Sequence, residues 1–349
     1  MSFTERYDVI VVGAAFAGVS CAQELQRHGV RGLLLDRWEP GSHCNSACLA
    51  PLHTIEQYGA ADSILETYDR ITIHTPVGDA IWQLPVFGCI FDYRRFFQAM
   101  LRHTPIEFRQ VRVINLEQDT LVTSEGRLWA DTYVDASGWR AVLANSVEPT
   151  YWESGAGHLG VGVETELDYP TEGLHLYIDP PLLNGYAWAF GCQKATRFGV
   201  ASFQPCNAIR DHLAQFVRRF GITELGPLRG TRIPFGLRQP VLDKVFVAGD
   251  AAGQAIPASA EGIRPALHAG KKLGRLLVGV FHGEYDLAQA KQAYRRYHRI
   301  QHKTYRSMYA FQHLVMTLPS RLCLQLLRLL ERPTFMSLLW RYYGAVFED

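Results

Sequence analysis

Residues 245–270 hold the densest grouping of residue types that could do chemistry. Val245 to Ala248 reads as a short apolar strand, Gly249-Asp250-Ala251 begins a small-residue turn, and after Pro257 the run Glu261-Gly262-Ile263 opens a helix. A helix N-terminus presents unpaired N–H groups and a positive partial charge, so Gly262 and Ile263 are placed to favour an electron-rich ligand beside the Asp250 carboxylate. A second grouping opens the chain. Tyr7 to Val12 is a β-branched, buried-type strand, followed by Gly13-Ala14-Ala15-Phe16-Ala17-Gly18, a helix over Val19 to His28 closed by Gly29, and a strand from Gly32 that ends at Asp36-Arg37. Strand, glycine-bearing turn, helix, strand and acid, in that order, form the dinucleotide fingerprint. Gly13 permits the tight turn, Gly18 permits close helix packing, and Asp36 is placed to accept from a ribose. Ala15 stands where a glycine normally lets the backbone approach a pyrophosphate.

The 245–270 segment resembles the second flavin-binding motif of FAD enzymes built like para-hydroxybenzoate hydroxylase and the geranylgeranyl reductases. The resemblance implies that Asp250 meets a ribityl hydroxyl and that the helix opening at Gly262-Ile263 aims at the flavin ring. With the first motif it implies FAD as cofactor. Gly13, Ala15, Ala17, Gly18, Asp36 and Arg37 would lie on the adenosine and pyrophosphate side, and Gly249, Asp250, Ala251, Gly262 and Ile263 near the ribityl chain and ring. Asp92 to Leu101 reads as a helix capped by Asp92. In the family the arginine corresponding to Arg94 approaches the cofactor; otherwise Arg94 is a solvated helix-start residue. Val134-Asp135-Ala136-Ser137-Gly138-Trp139-Arg140 is similar to the Asp-Ala-Ser-Gly segment of flavin halogenases and some carotenoid cyclases, and lacks the intact Asp-Gly pair of the hydroxylases. It is read as a turn supporting the pyrophosphate, and nicotinamide binding is not carried over.

Between 151 and 235 the pattern turns strand-rich, with turns at Asp179-Pro180-Pro181 and Asn184-Gly185. Gly185-Tyr186-Ala187-Trp188-Ala189-Phe190-Gly191 resembles the Gly-Tyr-x-Trp-x-Phe-Pro segment of the geranylgeranyl reductases, with Gly191 in place of the proline. On a strand Tyr186, Trp188 and Phe190 share one face, either as an aromatic substrate wall or as plain sheet core. Cys44 and Cys48 follow Gly41, in a region where those reductases often carry a cysteine facing the cavity; the other reading is of ordinary small buried residues. Tyr186, Trp188, Cys48 and Cys44 are therefore the expected catalytic-site residues. His298 and His302 have a spacing that can bind metal, but Arg295, Arg296, Arg299 and Lys303 surround them, and no metal site is expected.

The fold class is α/β: a Rossmann-like FAD-binding domain with an inserted antiparallel-sheet substrate domain and C-terminal helices. The FAD domain is expected to be discontinuous, over 1–70, 92–145 and 240–283. The substrate domain takes 71–91 and 146–239, and 284–349 is helical, with breaks at Pro319 and Pro333. At 349 residues with 48% hydrophobic content the chain can bury a large core, and a net charge of +1 gives no sign of a nucleic-acid binder. Seven scattered cysteines match neither a zinc ribbon nor a disulfide framework, and the N-terminus does not read as a signal peptide, so a cytoplasmic setting is expected. From Arg264 onward 14 Lys/Arg face 5 Asp/Glu. Apolar residues among those cations could dock on a membrane surface or deliver a lipid-like substrate; alternatively they complete the core.

The resemblance implies an FAD-dependent oxidoreductase that reduces carbon–carbon double bonds of an isoprenoid or other lipid-like substrate, with NAD(P)H or ferredoxin as electron donor. The alternatives are an FAD-dependent monooxygenase acting on an aromatic or polycyclic substrate, and a non-catalytic flavin-binding redox sensor.

Overall fold

The β-branched run Arg6–Val12 becomes β1, the centre of a parallel sheet. Its neighbours are β9 (Gly126–Asp135) on one side and β2 (Gly32–Asp36) on the other. The sheet continues through β16 (Val245–Val247) to β15 (Val241–Leu242) at one edge and ends at β6 (Phe108–Gln110) at the other. The hairpin of β7 (Val113–Glu117) and β8 (Thr120–Thr123) branches onto β9. The computed structural model describes residues 6–153, 158–178 and 184–344, so the turn expected at Asp179-Pro180-Pro181 lies outside the described residues.

Alternation along β1 feeds two cores, because successive strand residues point to opposite faces. Val9 and Val11 pack with Leu34 and Val134 beneath α1 (Phe16–Arg27), α3 (Tyr93–His103) and α6 (Ile263–Phe281). Ile10 and Val12 pack with Leu33, Leu35 and Tyr133 beneath α4 (Val142–Val147). Such two-sided burial is what a central parallel strand requires. Asp92 caps α3 by accepting from Arg95 N at 2.8 Å, as expected.

The second sheet runs in the order β14 (Leu228–Pro234), β10 (Leu159–Leu167), β13 (Ala195–Ser202), β12 (Gly185–Cys192), β11 (Leu174–Tyr177), β4 (Ile64–Thr75), β5 (Gly78–Phe91), β3 (Leu49–Pro51). Two expectations are corrected here. Residues 49–51 and 64–70, assigned to the FAD domain, are strands of this sheet. The sheet is also not wholly antiparallel, because β11 lies parallel to β4, pairing Leu174 with Ile71 and Tyr177 with His74. The physical reason is the long β4–β5 hairpin, which carries the chain out from the first sheet and back and leaves an edge on which β11 pairs. One face of the sheet is covered by α5 (Ile209–Arg218), which buries Leu213, Phe216 and Val217 against Ala187, Ala189, Phe198 and Val200. The opposite face carries Trp188 and Phe190.

Helices close the remaining side. α2 (Leu52–Gln57) follows β3. α7 (Leu287–Thr317), α8 (Ser320–Leu329) and α9 (Pro333–Gly344) wrap back over the second sheet, with Pro319 as the N-cap of α8 and Pro333 as the first residue of α9. Proline is tolerated at those positions because the first N–H groups of a helix have no intrahelical partner. Val315, Cys323, Leu324 and Leu327 pack on Ile73, Ala80 and Ile178.

One cross-strand row organises the face opposite α5. Arg229 pairs with Glu164, Glu164 with Gly199, and Gly199 with Trp188. Gly199 has no side chain, so the Trp188 indole lies across it; a Cβ there would stand 2.0 Å from the indole Cζ2. From that position Nε1 donates to Glu164 Oε2 at 2.8 Å. Gly199→Ala is therefore expected to swing the indole away and leave a buried carboxylate short of one donor, at a cost on the order of 1–3 kcal/mol. A lower melting temperature together with shifted tryptophan fluorescence checks this. An unchanged emission spectrum would contradict it.

Candidate active site

The turns that follow β1, β2, β9 and β16 all end at the same edge of the first sheet, where ligands of open α/β sheets bind. Gly13 follows β1 with φ +110°, and a Cβ on it would meet the Ala136 carbonyl oxygen at 2.0 Å. That closeness lets the first residues of α1 open directly onto a cavity of about 920 Å³ between the two sheets, whose wall is more apolar than polar.

Both helix N-termini at this cavity are built to meet a ligand. α1 starts at Phe16 with Ala15 as N-cap, and α6 at Ile263 with Gly262 as N-cap. Neither has a side-chain cap or an acid in its first turn, whereas α3 and α7 are capped by Asp92 and Asp286. Ala15 sits at φ −105°, an ordinary conformation, so alanine causes no strain where a glycine is usual. Asp36 accepts from Ala14 N at 2.8 Å and Trp38 N at 2.9 Å, which fixes its carboxylate at the end of β2 and leaves lone pairs free.

Asp250 follows β16 and lines the cavity, and its side chain has no hydrogen-bond partner among the described residues. Its Oδ1 lies 3.5 Å from where a Gly262 Cβ would stand, so it adjoins the start of α6. Burial pushes its carboxyl up to about 6, with Arg238 pulling the other way. A half-buried acceptor without a donor beside an uncapped helix N-terminus fits a ligand that brings hydroxyl groups and an electron-rich ring.

Of the expected cofactor residues, Gly13, Ala15, Ala17, Asp36, Arg37, Gly249, Asp250, Gly262 and Ile263 line this cavity. Gly18 and Ala251 lie behind the wall. Gly18 packs against Gly13, where a Cβ would meet the Gly13 oxygen at 1.8 Å, and Ala251 is fully buried. Arg94 is exposed on α3 and is not part of the cavity wall. The neighbouring Tyr93 faces the cavity instead. Asp135 has a turn-building role. Its carboxylate accepts from Ser137 N and Oγ and from Leu143 N and Ala144 N, all within 3.0 Å, and this holds Ala136, Ser137 and Gly138 at the cavity.

On the opposite wall Tyr186, Trp188 and Phe190 face the cavity, with neighbouring ring centroids 5.9 and 6.1 Å apart. Cys48 lines it as well, and Cys44 stands just behind, with the two Sγ atoms 3.6 Å apart. The sequence alone did not reveal Glu164 and Arg229, which also line this wall. Arg229 Nε donates to Glu164 Oε1 at 2.8 Å, and Arg197 Nε donates to Glu166 Oε2 at 2.9 Å. Burial raises the Glu164 carboxyl above the usual range, while Arg229, Arg197 and the indole pull it back. The signal in the sequence was slight: Glu164 and Glu166 stand two apart on a strand otherwise read as sheet.

Glu261, beside the start of α6, is held by Arg264 at 2.9 and 3.0 Å and by the Tyr343 hydroxyl. The Arg264 guanidinium lies 5.1 Å from the Tyr343 ring centroid and 5.8 Å from that of Trp340. α9 is thereby clamped over the flank of the cavity. His298 is buried, and that burial drives its pKa down to about 3, while His302 is exposed; no cluster fit to hold a metal occurs among the described residues.

Residues 6–121 match the family of FAD binding domains. The whole chain shares its fold with solved flavoproteins. A geranylgeranyl bacteriochlorophyll reductase-like protein from Thermoplasma acidophilum superposes with TM-score 0.84 at 15% identity, covering 99% of this chain and 96% of that one. The p-nitrophenol 4-monooxygenase of Pseudomonas putida superposes with TM-score 0.77 at 16% identity, covering 99% and 100%. A flavin-dependent brominase gives 0.70 at 14%, covering 99% and 94%. At these identities the likeness is one of fold. The chain thus matches the FAD binding domain over residues 6–121 and shares the overall fold of these proteins.

A carboxyl raised to about 6 holds its proton more tightly in the folded state, so its contribution to stability is full below its ordinary 3.8 and lost as pH climbs through 6. Asp250→Ala removes that carboxyl. The ligand-free variant is expected to melt no lower than ligand-free wild type above pH 6, while retaining less flavin on purification. Thermal melts of stripped protein and the absorbance of unstripped protein check the two halves separately.

Proposed function

We propose that the protein is an FAD-dependent oxidoreductase that reduces carbon–carbon double bonds of an isoprenoid or other lipid-like substrate. The observation that carries this reading is the lining of the cavity. Besides Asp250 and Ile263 it includes the rings of Tyr186, Trp188 and Phe190 and the apolar cluster of Ile73, Leu176, Val315 and Leu327. A long hydrocarbon chain would bury its surface there, at roughly 25 cal/mol per Å².

FAD would be held by the α1 turn and Asp36 on its adenosine side and by Asp250 and the α6 N-terminus at its ring, and in reduced form it supplies a hydride. The chain's own residues orient and enclose. Trp188, locked by Glu164 and the absence of a side chain at Gly199, forms a rigid plane against which a double bond can lie. Trp340 and Tyr343, clamped through Arg264 and Glu261, keep water out of that end. The architecture is shared with a monooxygenase, so the reaction is decided by experiment. With FAD-loaded protein under nitrogen, NADPH, NADH or reduced ferredoxin is expected to bleach the flavin without substrate. A polyprenyl substrate should then restore its colour and yield the dihydro product. Bleaching that waits for an aromatic compound, with oxygen built into the product, would assign the protein to the monooxygenases instead.

The substrate would arrive from a membrane surface. α8 and α9 wall the cavity with Leu327, Met336, Leu339 and Trp340. On their outer side they expose Leu322 (49%) and Leu338 (56%) beside the exposed Arg321, Arg328, Arg332 and Arg341. No helix among the described residues is long and apolar enough to span a membrane. Apolar side chains ringed by cations suit an anionic lipid surface, with each cation contributing on the order of 1 kcal/mol. The protein is expected to sediment with anionic vesicles, and Leu322→Glu with Leu338→Glu to release it. Equal recovery in the supernatant with anionic and neutral vesicles would contradict surface docking.

A further inference from the structure

The structure assigns to Cys44 and Cys48 the role of a redox-active dithiol, one that exchanges with small-molecule disulfides and cycles to a disulfide within its own loop. The two Sγ atoms are in hydrogen-bond contact at 3.6 Å, and both thiols face the carbonyl oxygen of Ser46, at 3.4 and 3.3 Å. A disulfide needs the sulfur atoms about 2.05 Å apart, so a shift of under two ångströms joins them.

The surrounding loop is held at its C-terminal end. Phe91 N donates to Cys48 O at 3.1 Å, and Arg197 Nη1 donates to Ala47 O at 3.1 Å. Cys48 is kept at φ +54°, a left-handed conformation unusual for a residue with a side chain. That backbone turn points its thiol back toward Cys44. Bond formation therefore asks for side-chain movement in a loop already folded to bring the sulfurs together.

The two thiols differ in the way the exchange requires. Cys44 is part-exposed, and the hydrogen bond from Cys48, aided by the Arg229 charge, brings its thiol down to about 7. Burial pushes the Cys48 thiol well above its ordinary value. The other five cysteines show no comparable pairing: no other sulfur–sulfur contact occurs among the described residues. The Cys44 thiolate attacks one sulfur of a small disulfide, forming a mixed disulfide and expelling one thiolate. Cys48, giving up its proton to that thiolate, then attacks the Cys44 sulfur, closes the loop disulfide and expels the second thiolate, which takes a proton from solvent. The protein loses two electrons, and the small disulfide is reduced to two thiols. Because Cys48 lines the cavity, the thiol–disulfide state of the surroundings is written into the wall that faces the FAD site. The chemistry does not depend on which reaction the flavin supports.

Full-length, FAD-loaded protein is equilibrated in mixtures of reduced and oxidised glutathione, quenched by alkylation and digested, and the tryptic fragment holding both cysteines is weighed. In wild type that fragment is expected to pass from doubly alkylated to internally disulfide-bonded, with no glutathione retained. Cys48→Ser is expected to accumulate glutathione on Cys44, and Cys44→Ser to leave Cys48 a free thiol. The rate of Cys44 alkylation should rise through a midpoint near 7. A wild-type fragment that stays doubly alkylated across the series would overturn the assignment, and the wild-type protein alone suffices to show it. So would glutathione retained on wild type, or equal adducts on the two single variants.

Discussion

Everything at the cavity depends on how closely the turn after β1 approaches the end of β9. Gly13 has no side chain, and a single Cβ there would run into the Ala136 carbonyl at 2.0 Å. That contact sets the level at which β1 and β9 stop, and it places the start of α1 at the mouth of the crevice. Gly18 repeats the constraint one turn along α1, where its backbone lies against Gly13 itself. With β16 ending alongside, Asp250 and the start of α6 reach the same cavity from the other end of the sequence. Two segments more than two hundred residues apart thus form one binding wall because their strands share one sheet.

The cavity gathers groups that cost stability unless something is made of them. Asp250 is half-buried without a donor, Glu164 is buried and held by cations, and Cys48, Ala258 and Ala260 sit at positive φ around the same cavity. Strain and desolvated charge gathered in one place mark a functional site more reliably than either alone. The clamp of Glu261, Arg264 and Tyr343 shows how the C-terminal helices share in it, for α9 closes the cavity and helps hold the approach to α6 in place.

Much of this was legible in the sequence where the signal is local. The glycine turn, Asp36 and the Gly249-Asp250 turn announce themselves through short spacing, because backbone geometry at a turn constrains residue type directly. The alternation of Tyr186, Trp188 and Phe190 was equally readable, since a strand sorts its faces by parity. What escaped was set by pairing between distant strands. Arg229, Glu164, Gly199 and Trp188 form one row only because β14, β10, β13 and β12 lie side by side in that register. The placement of 49–51 and 64–70 in the second sheet was hidden for the same reason. On α3 a single step separates Tyr93, which lines the cavity, from the exposed Arg94.

The central claim is that one dinucleotide flavin spans the crevice, from the α1 turn to the α6 N-terminus. The most direct test is to denature the purified protein, identify the small molecule released, and count it against the chain. The account predicts FAD, at one per chain, or stoichiometric uptake of FAD with a rise in melting temperature if it was lost on purification. A colourless protein that neither releases flavin nor is stabilised by added FAD would contradict it.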